Sequence, residues 1–290
     1  MTLWDDITYK IKSGSRLYLL ITINVAVFLV INIPATIEWM INYGHSGWIS
    51  YFANEYLDLP AEITKLPSRF WTPFTYMFMH AGIWHIAINM LWLYWMGQIF
   101  EEFLGNRRIL GLYLLGGLAG ALFYVVSFNL LPVFRDLVHI SVIVGASASV
   151  MAIVTATATQ LPNYTIPIIF IGPVKLKWLA LFLVIVDFLM IAQSNPGGEI
   201  SHLGGALLGF VYIKRLQKGN DWVAVIGNLF RRRPRLSNLK VVARNAGKKG
   251  PAKPRQEEID RVLDKISVSG YDSLNKEEKE ILFRASKNES

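Results

Sequence analysis

The sequence contains no cysteine. Disulfides, thiol catalysis and cysteine-ligated zinc or iron are excluded at the outset. Charge is scarce as well: only 17% of the 290 residues are Asp, Glu, Lys or Arg, against about 25% in a soluble globular domain. The shortage is local. Residues 17–216 hold nearly all the long apolar runs, and from Gln217 onward Lys, Arg, Glu, Asp and Ser take over. This split predicts one membrane domain followed by a soluble tail. The formal net charge of +8 sits mostly in the tail and in certain loops. No folded basic module is evident, so no nucleic acid partner is expected.

A helix needs ~20 apolar residues to cross a bilayer. The runs 17–33, 83–103, 109–131, 142–161, 178–192 and 200–216 predict an all-α polytopic membrane protein with six transmembrane helices. Segment 162–175, broken by Pro162, Pro167, Gly172 and Pro173, is expected to be an extended interfacial loop. The polar segment 1–16 precedes an apolar run that lacks a good small-x-small site, so an uncleaved first span is expected. Basic residues then set orientation. Lys10, Lys12 and Arg16, then Arg107 and Arg108, then Lys175 and Lys177, then Lys214, Arg215 and Lys218 all fall on one side of a six-span chain. Both termini are expected in the cytoplasm, with the chain multi-pass in the cell (inner) membrane. Trp39, Trp48, Tyr51, Phe70, Trp71 and other aromatics of loop 34–82 predict a segment lying partly in the outer headgroup layer.

Polar groups in a membrane are costly, so each needs a partner or a task. Here they gather near one end of spans two, four and six. Span four opens with Gly145-Ala146-Ser147-Ala148-Ser149 and span six with Ser201-His202-Leu203-Gly204-Gly205. Ser147 and His202 therefore lie at similar depth, where a serine becomes nucleophilic if the base takes its proton. Gly205 and Gly209 share a helical face with His202 and, with Gly145 and Ala148 on span four, remove the bulk that would hold the helices apart. His85 and Asn89, one turn apart on span two, are candidate donors to the oxyanion formed on acyl attack. Gly116 and Gly120 in span three form a small-residue packing face.

In order and spacing these residues resemble the rhomboid intramembrane serine proteases. The resemblance rests on His80 with His85-Ile-Ala-Ile-Asn89, on Gly145-Ala-Ser147, and on His202-Leu-Gly-Gly205-Ala-Leu-Leu-Gly209, with Glu101 and Gly105 at the far end of span two. It covers about residues 17–216. It implies a serine endopeptidase with a Ser147–His202 dyad, an oxyanion site at His85 and Asn89, and Gly145 as a packing residue beside the serine. It also implies transmembrane protein substrates cut near their external ends and no cofactor. Three positions depart from the family pattern: Ala148 replaces the glycine after the nucleophile, Met151 an aromatic, and Thr72 the arginine of a Trp-Arg pair.

Several alternatives stand beside these readings. Ser149 is a rival nucleophile, but two residues turn a helix by about 200°, so only one of the two serines faces His202. Asp187, alone within the fifth span, is expected to bond polar groups other than His202, with a triad role beside His202 as the lesser alternative. His80 is expected to brace the first loop. His80 and His85 lack the His-Glu-x-x-His arrangement, so no metal site is expected. The basic linker 217–255 is placed to attract anionic lipid. Segment 256–290 reads as two short helices, 257–266 and 276–285, that contact another protein or lipid, or else as a disordered tail. Function divides between a protease, a catalytically inactive client-binding protein of the same fold, and a solute transporter. The last lacks the expected internal repeat.

Overall fold

The computed structural model describes residues 10, 14–168, 172–193, 195–223 and 256–286. The basic clusters at 231–235 and 248–255, and most of segment 1–16, lie outside these residues. The chain divides into two compact units, Met1–Arg232 and Arg233–Ser290.

The first unit is mostly helical. Its helices are α1 Arg16–Ile41, α2 Trp48–Tyr56, α3 Thr72–Thr75, α4 Ile83–Leu104, α5 Asn106–Leu130, α6 Ser147–Gln160, α7 Leu176–Met190 and α8 Pro196–Leu216. Over 18-residue windows α1 and α5 reach mean hydropathies of 2.2 and 2.1, enough in length and composition to cross a membrane. The start of α1 is held from another helix. The Glu101 carboxylate of α4 accepts from the Leu17 N–H at 3.1 Å and the Ser15 hydroxyl at 3.3 Å. Asn106 Oδ1 accepts from the Arg16 N–H at 2.7 Å. A carboxylate at a helix N-terminus answers donors that have no intrahelical partner.

Three boundaries differ from the sequence expectation by four residues or more. Helix α1 runs through Pro34 to Ile41 instead of stopping at residue 33. Its apolar residues continue past the proline, and one missing backbone bond does not end a helix in lipid. Helix α8 begins at Pro196, four residues early, because Asn195 caps it by accepting from the Gly198 N–H at 3.2 Å.

The third difference bears on function. The expected fourth span, 142–161, is a helix of only 14 residues that begins at Ser147. Val142–Ile143 instead forms a strand, β2, paired antiparallel with β1, Leu59–Pro60, from the first loop. Gly145 follows with φ +129° and donates its N–H to Tyr76 O at 2.9 Å. That conformation is open to glycine and stops the helix from starting earlier.

At about 21 Å, α6 by itself is shorter than a hydrocarbon core of ~30 Å. It is instead the centre of the unit, buried from Ala148 to Ala158 and packed against α8, α5 and α4. The expected loop at 162–175 contains an antiparallel hairpin, β3 Thr165–Ile168 with β4 Gly172–Lys175.

Loop 34–82 is divided. Tyr43, Trp48, Tyr51 and Phe70 are exposed, while Leu59, Ala61, Tyr76 and Met77 are core residues. Tyr113 donates to Met77 O at 2.7 Å and Tyr76 to Gly117 O at 2.5 Å. The second half of the loop is thereby anchored on α5, directly beneath Gly145.

The second unit holds α9 Gln256–Ser269 and α10 Lys276–Ser286, joined through Gly270. Asn275 caps α10 reciprocally: Oδ1 accepts from the Glu278 N–H at 2.9 Å, and Glu278 accepts from the Asn275 N–H at 2.8 Å. Lys265 bridges to Glu278 at 2.8 Å, and Val262 and Leu274 are buried.

Candidate active site

Alanines and glycines set the distances between α5, α6 and α8. A Cβ placed on Gly205 would stand 2.0 Å from Ala148 O, and one on Gly209 would stand 2.2 Å from Ala152 O. On the other flank of α6, a Cβ on Gly116 would meet the Ala152 methyl at 2.5 Å. One on Gly120 would meet both the Ala148 methyl and Ser201 Oγ at 2.5 Å. Helix α6 is thus gripped at Ala148 and Ala152 by backbone on both sides, which side chains larger than hydrogen would prevent.

This grip leaves a cavity of about 270 Å³ at the N-terminal end of α6. Ser147, His202, His85 and Asn89 all line it, together with Met151 and Asp187. Ser147 is the first residue of α6, so the N–H groups of the first turn are free of intrahelical acceptors beside its hydroxyl. The position that a Gly145 side chain would occupy is bounded by His85 Nε2 at 2.7 Å and Ser147 Oγ at 3.4 Å.

Hydrogen bonds indicate the orientation of both imidazoles. His85 Nδ1 accepts from the Ala81 N–H at 3.4 Å, which leaves the ring proton on Nε2, toward Gly145 and Ser147. Asn89 donates one Nδ2 proton to His85 O at 2.9 Å and keeps the other. His202 Nδ1 lies 3.2 Å from Asp187 Oδ1 and 3.5 Å from Glu199 Oε2. A proton held there leaves Nε2 as an acceptor. Among the described residues no direct hydrogen bond joins the Ser147 hydroxyl to the His202 ring.

Asp187 therefore overturns the expectation that it bonds elsewhere. Helix α7 packs on α8, and the lone carboxylate of that span meets the lone histidine of its neighbour. Glu199 was legible from spacing, being three residues before His202 on the same face. The ligand atoms of Asp187, Glu199 and His202 lie within 4.8 Å of one another, a spacing that also suits a cation. The absence of a metal and of a cofactor stays an expectation.

The remaining residues find plain places. Ser149 is fully buried and turned toward α5, its Oγ 2.8 Å from where a Gly117 Cβ would stand. The Ala148 methyl faces Gly120, so the departure from glycine at this position fills the α5 interface. Thr72 is buried and donates to Arg69 O at 2.9 Å. His80 packs edge-on to His85 with ring centroids 5.2 Å apart. Burial, with His85 beside it, pushes His80 down to about 4, so it is neutral at pH 7.

The model of the rhomboid domain family matches residues 67–218, over half of the chain and all of the cavity residues. The chain belongs to the rhomboid family. RHOMBOID-like protein 12, mitochondrial, of Arabidopsis thaliana is 31% identical over 160 residues, covering 52% of this chain and 48% of that protein. RHOMBOID-like protein 1 of the same plant is 31% identical over 154 residues, covering 51% and 36%. Rhomboid protein 1, mitochondrial, of Saccharomyces cerevisiae (strain ATCC 204508 / S288c) is 26% identical over 208 residues, covering 70% and 54%. The chain thus spans about half the length, or less, of these relatives. The rhomboid match ends before the second unit. There a family of unknown function (DUF6576) matches residues 252–288, the α9–α10 hairpin. As a rhomboid, the chain is a membrane protein.

Proposed function

We propose that this rhomboid is an intramembrane serine endopeptidase that cuts transmembrane protein substrates in the outer part of the bilayer. The reading rests above all on one cavity lined by Ser147, His202, His85 and Asn89. Ser147 Oγ attacks the scissile carbonyl carbon while His202 Nε2 takes its proton. The carbonyl oxygen becomes an oxyanion, receiving hydrogen bonds from His85 Nε2–H, the second Asn89 Nδ2 proton and the N–H groups at the start of α6. His202 then gives its proton to the leaving amine. Water attacks the resulting acyl-enzyme with His202 again as base. Asp187 is a positioning residue in this scheme, holding the Nδ1 proton so that Nε2 stays free.

The same proposal places α1, α4, α5, α6, α7 and α8 as six membrane segments, with both termini cytoplasmic in the cell (inner) membrane. The basic residues at one end of these helices support that orientation. The tail is proposed to contact anionic lipid or another protein.

A second reading is favoured by one observation. Among the described residues Ser147 and His202 are not directly bonded, as suits a rhomboid that holds membrane clients without cutting them. Labelling by a fluorophosphonate, alongside cleavage of a single-span reporter, separates the two. The protease reading expects both signals in the native chain and neither in Ser147→Ala. A native chain that neither labels nor cuts leaves the client-binding reading standing.

A further inference from the structure

A second concavity lies away from the cavity just described. Between α7 and α8 an apolar groove of about 610 Å³ opens to the surface. On α8 its wall is Leu203, Leu207, Phe210 and Lys214, and on α7 it includes Lys177, Leu181 and Val184. Both sets recur at three- and four-residue intervals, so each helix turns one stripe toward the groove. The stripes do not interlock. Leu181, Leu207 and Phe210 remain 46%, 49% and 47% exposed.

The two ends of the groove differ in chemistry. Lys214 in the last turn of α8 and Lys177 in the first turn of α7 stand at one end. Lys177 Nζ lies over the Trp178 ring at 5.4 Å, and Lys214 Nζ over the Phe210 ring at 5.5 Å. Among the described residues no carboxylate pairs with either lysine. From there the apolar wall runs to Leu203, three turns of helix or about 16 Å. That length matches one leaflet of the hydrocarbon core, about 15 Å.

We infer that this groove is a binding site for one anionic phospholipid, its phosphate between Lys177 and Lys214 and an acyl chain along the α7–α8 wall. Charge and length both select this occupant. An apolar lining with two cations at a single end complements a molecule that is apolar along its length and anionic at its head. The groove reaches to within a turn of the cavity, since Leu203 follows His202 and Val184 lies three residues before Asp187. The site stands whether or not the chain is a protease.

Trp178 lines the groove and serves as the reporter. The full-length protein is reconstituted in lipid nanodiscs containing brominated phosphatidylglycerol or brominated phosphatidylcholine. Quenching of Trp178 is taken as the difference between native chain and Trp178→Phe. The expected result is half-maximal quenching at roughly 30-fold lower mole fraction for the anionic lipid, given two lysines at the surface. That preference disappears in Lys177→Gln/Lys214→Gln and persists in Lys177→Arg/Lys214→Arg, and millimolar glycerol phosphate leaves it unchanged. Equal quenching by the two lipids overturns the inference, as does a preference that survives the glutamine pair. Displacement by glycerol phosphate also overturns it, assigning the lysines to a free phosphate. Displacement by a single-span peptide regardless of headgroup assigns the groove to a protein helix.

Discussion

Asp187 Oδ1 lies 3.2 Å from His202 Nδ1, across the contact between α7 and α8. The pair joins α7 to α8 at the wall of the cavity that Ser147, at the head of α6, also lines. In a two-residue scheme the imidazole is oriented by packing alone. Here the Asp187 carboxylate, with Glu199 Oε2 3.5 Å from the same Nδ1, holds the ring by a charge-assisted contact.

Replacing Asp187 by Asn therefore separates orientation from shape. The amide keeps the volume but offers an N–H as readily as an oxygen, so the ring can turn its lone pair away from Ser147. Reporter cleavage is expected to fall about 10- to 100-fold in kcat with little change in KM, and Asp187→Glu is expected to recover part of it. The bottom of the pH–rate profile should move as well, because the base has lost its partner. A kcat within twofold of the native chain would return Asp187 to a purely structural role.

Gly205 tests the grip on α6. Its absent Cβ would stand 2.0 Å from a backbone carbonyl, which has no rotamer by which to give way. Gly205→Ala is expected to destabilise the fold by about 3 kcal/mol or more, read as a lower thermal midpoint in detergent. Gly82 is the internal control. It has extended backbone and no heavy atom within 4 Å of an added Cβ, so Gly82→Ala should leave the midpoint almost unchanged. Equal midpoints for the two variants would mean that α6 and α8 stand farther apart in the membrane.

Gly145 joins local strain to chemistry. With φ at +129° an alanine there costs about 1–3 kcal/mol, and its methyl would press on His85 Nε2 at 2.7 Å. Gly145→Ala is expected to lower kcat about 100-fold while altering the thermal midpoint less than Gly205→Ala does. The reverse ranking, with activity kept and stability lost, would show that His85 has no part in the reaction.

Much of this was legible in the residues, and the limits have physical causes. The apolar runs locate the helices because lipid admits few other structures. The small residues of α5 and α8 announce close packing, since nothing else explains glycines recurring within apolar helices. The start of α6 was not legible. Val142-Ile143 reads as the opening of a span by hydropathy alone, and only its pairing with Leu59–Pro60, more than eighty residues away, makes it a strand. Asp187 was misplaced for a related reason. Periodicity fixes which face of α7 it occupies, whereas the rotation of α7 about its axis depends on packing against α8. The groove between those helices is a property of two surfaces together, and no single stretch of sequence encodes it.

Asp58 links the same β1–β2 pairing to pH. It is almost fully buried beside Leu59, and burial raises its carboxyl to about 7 from an ordinary 3.8. A carboxyl raised on folding contributes stability that is complete below its unfolded value and lost as pH climbs through the folded one. The native chain should accordingly be most stable near pH 4 and weaken up to about pH 7. The penalty reaches about 2–4 kcal/mol at three units of displacement, less what solvent and local adjustment recover. Asn at position 58 does not ionise. Asp58→Asn is therefore expected to flatten the thermal midpoint between pH 5 and pH 8, and to exceed the native chain at the upper end. Because β1 holds β2, and β2 leads through Gly145 to Ser147, reporter cleavage at pH 8 should outlast heating longer in the variant. Parallel midpoints for the two proteins across this range would mean that water reaches the carboxylate and that burial does not govern it.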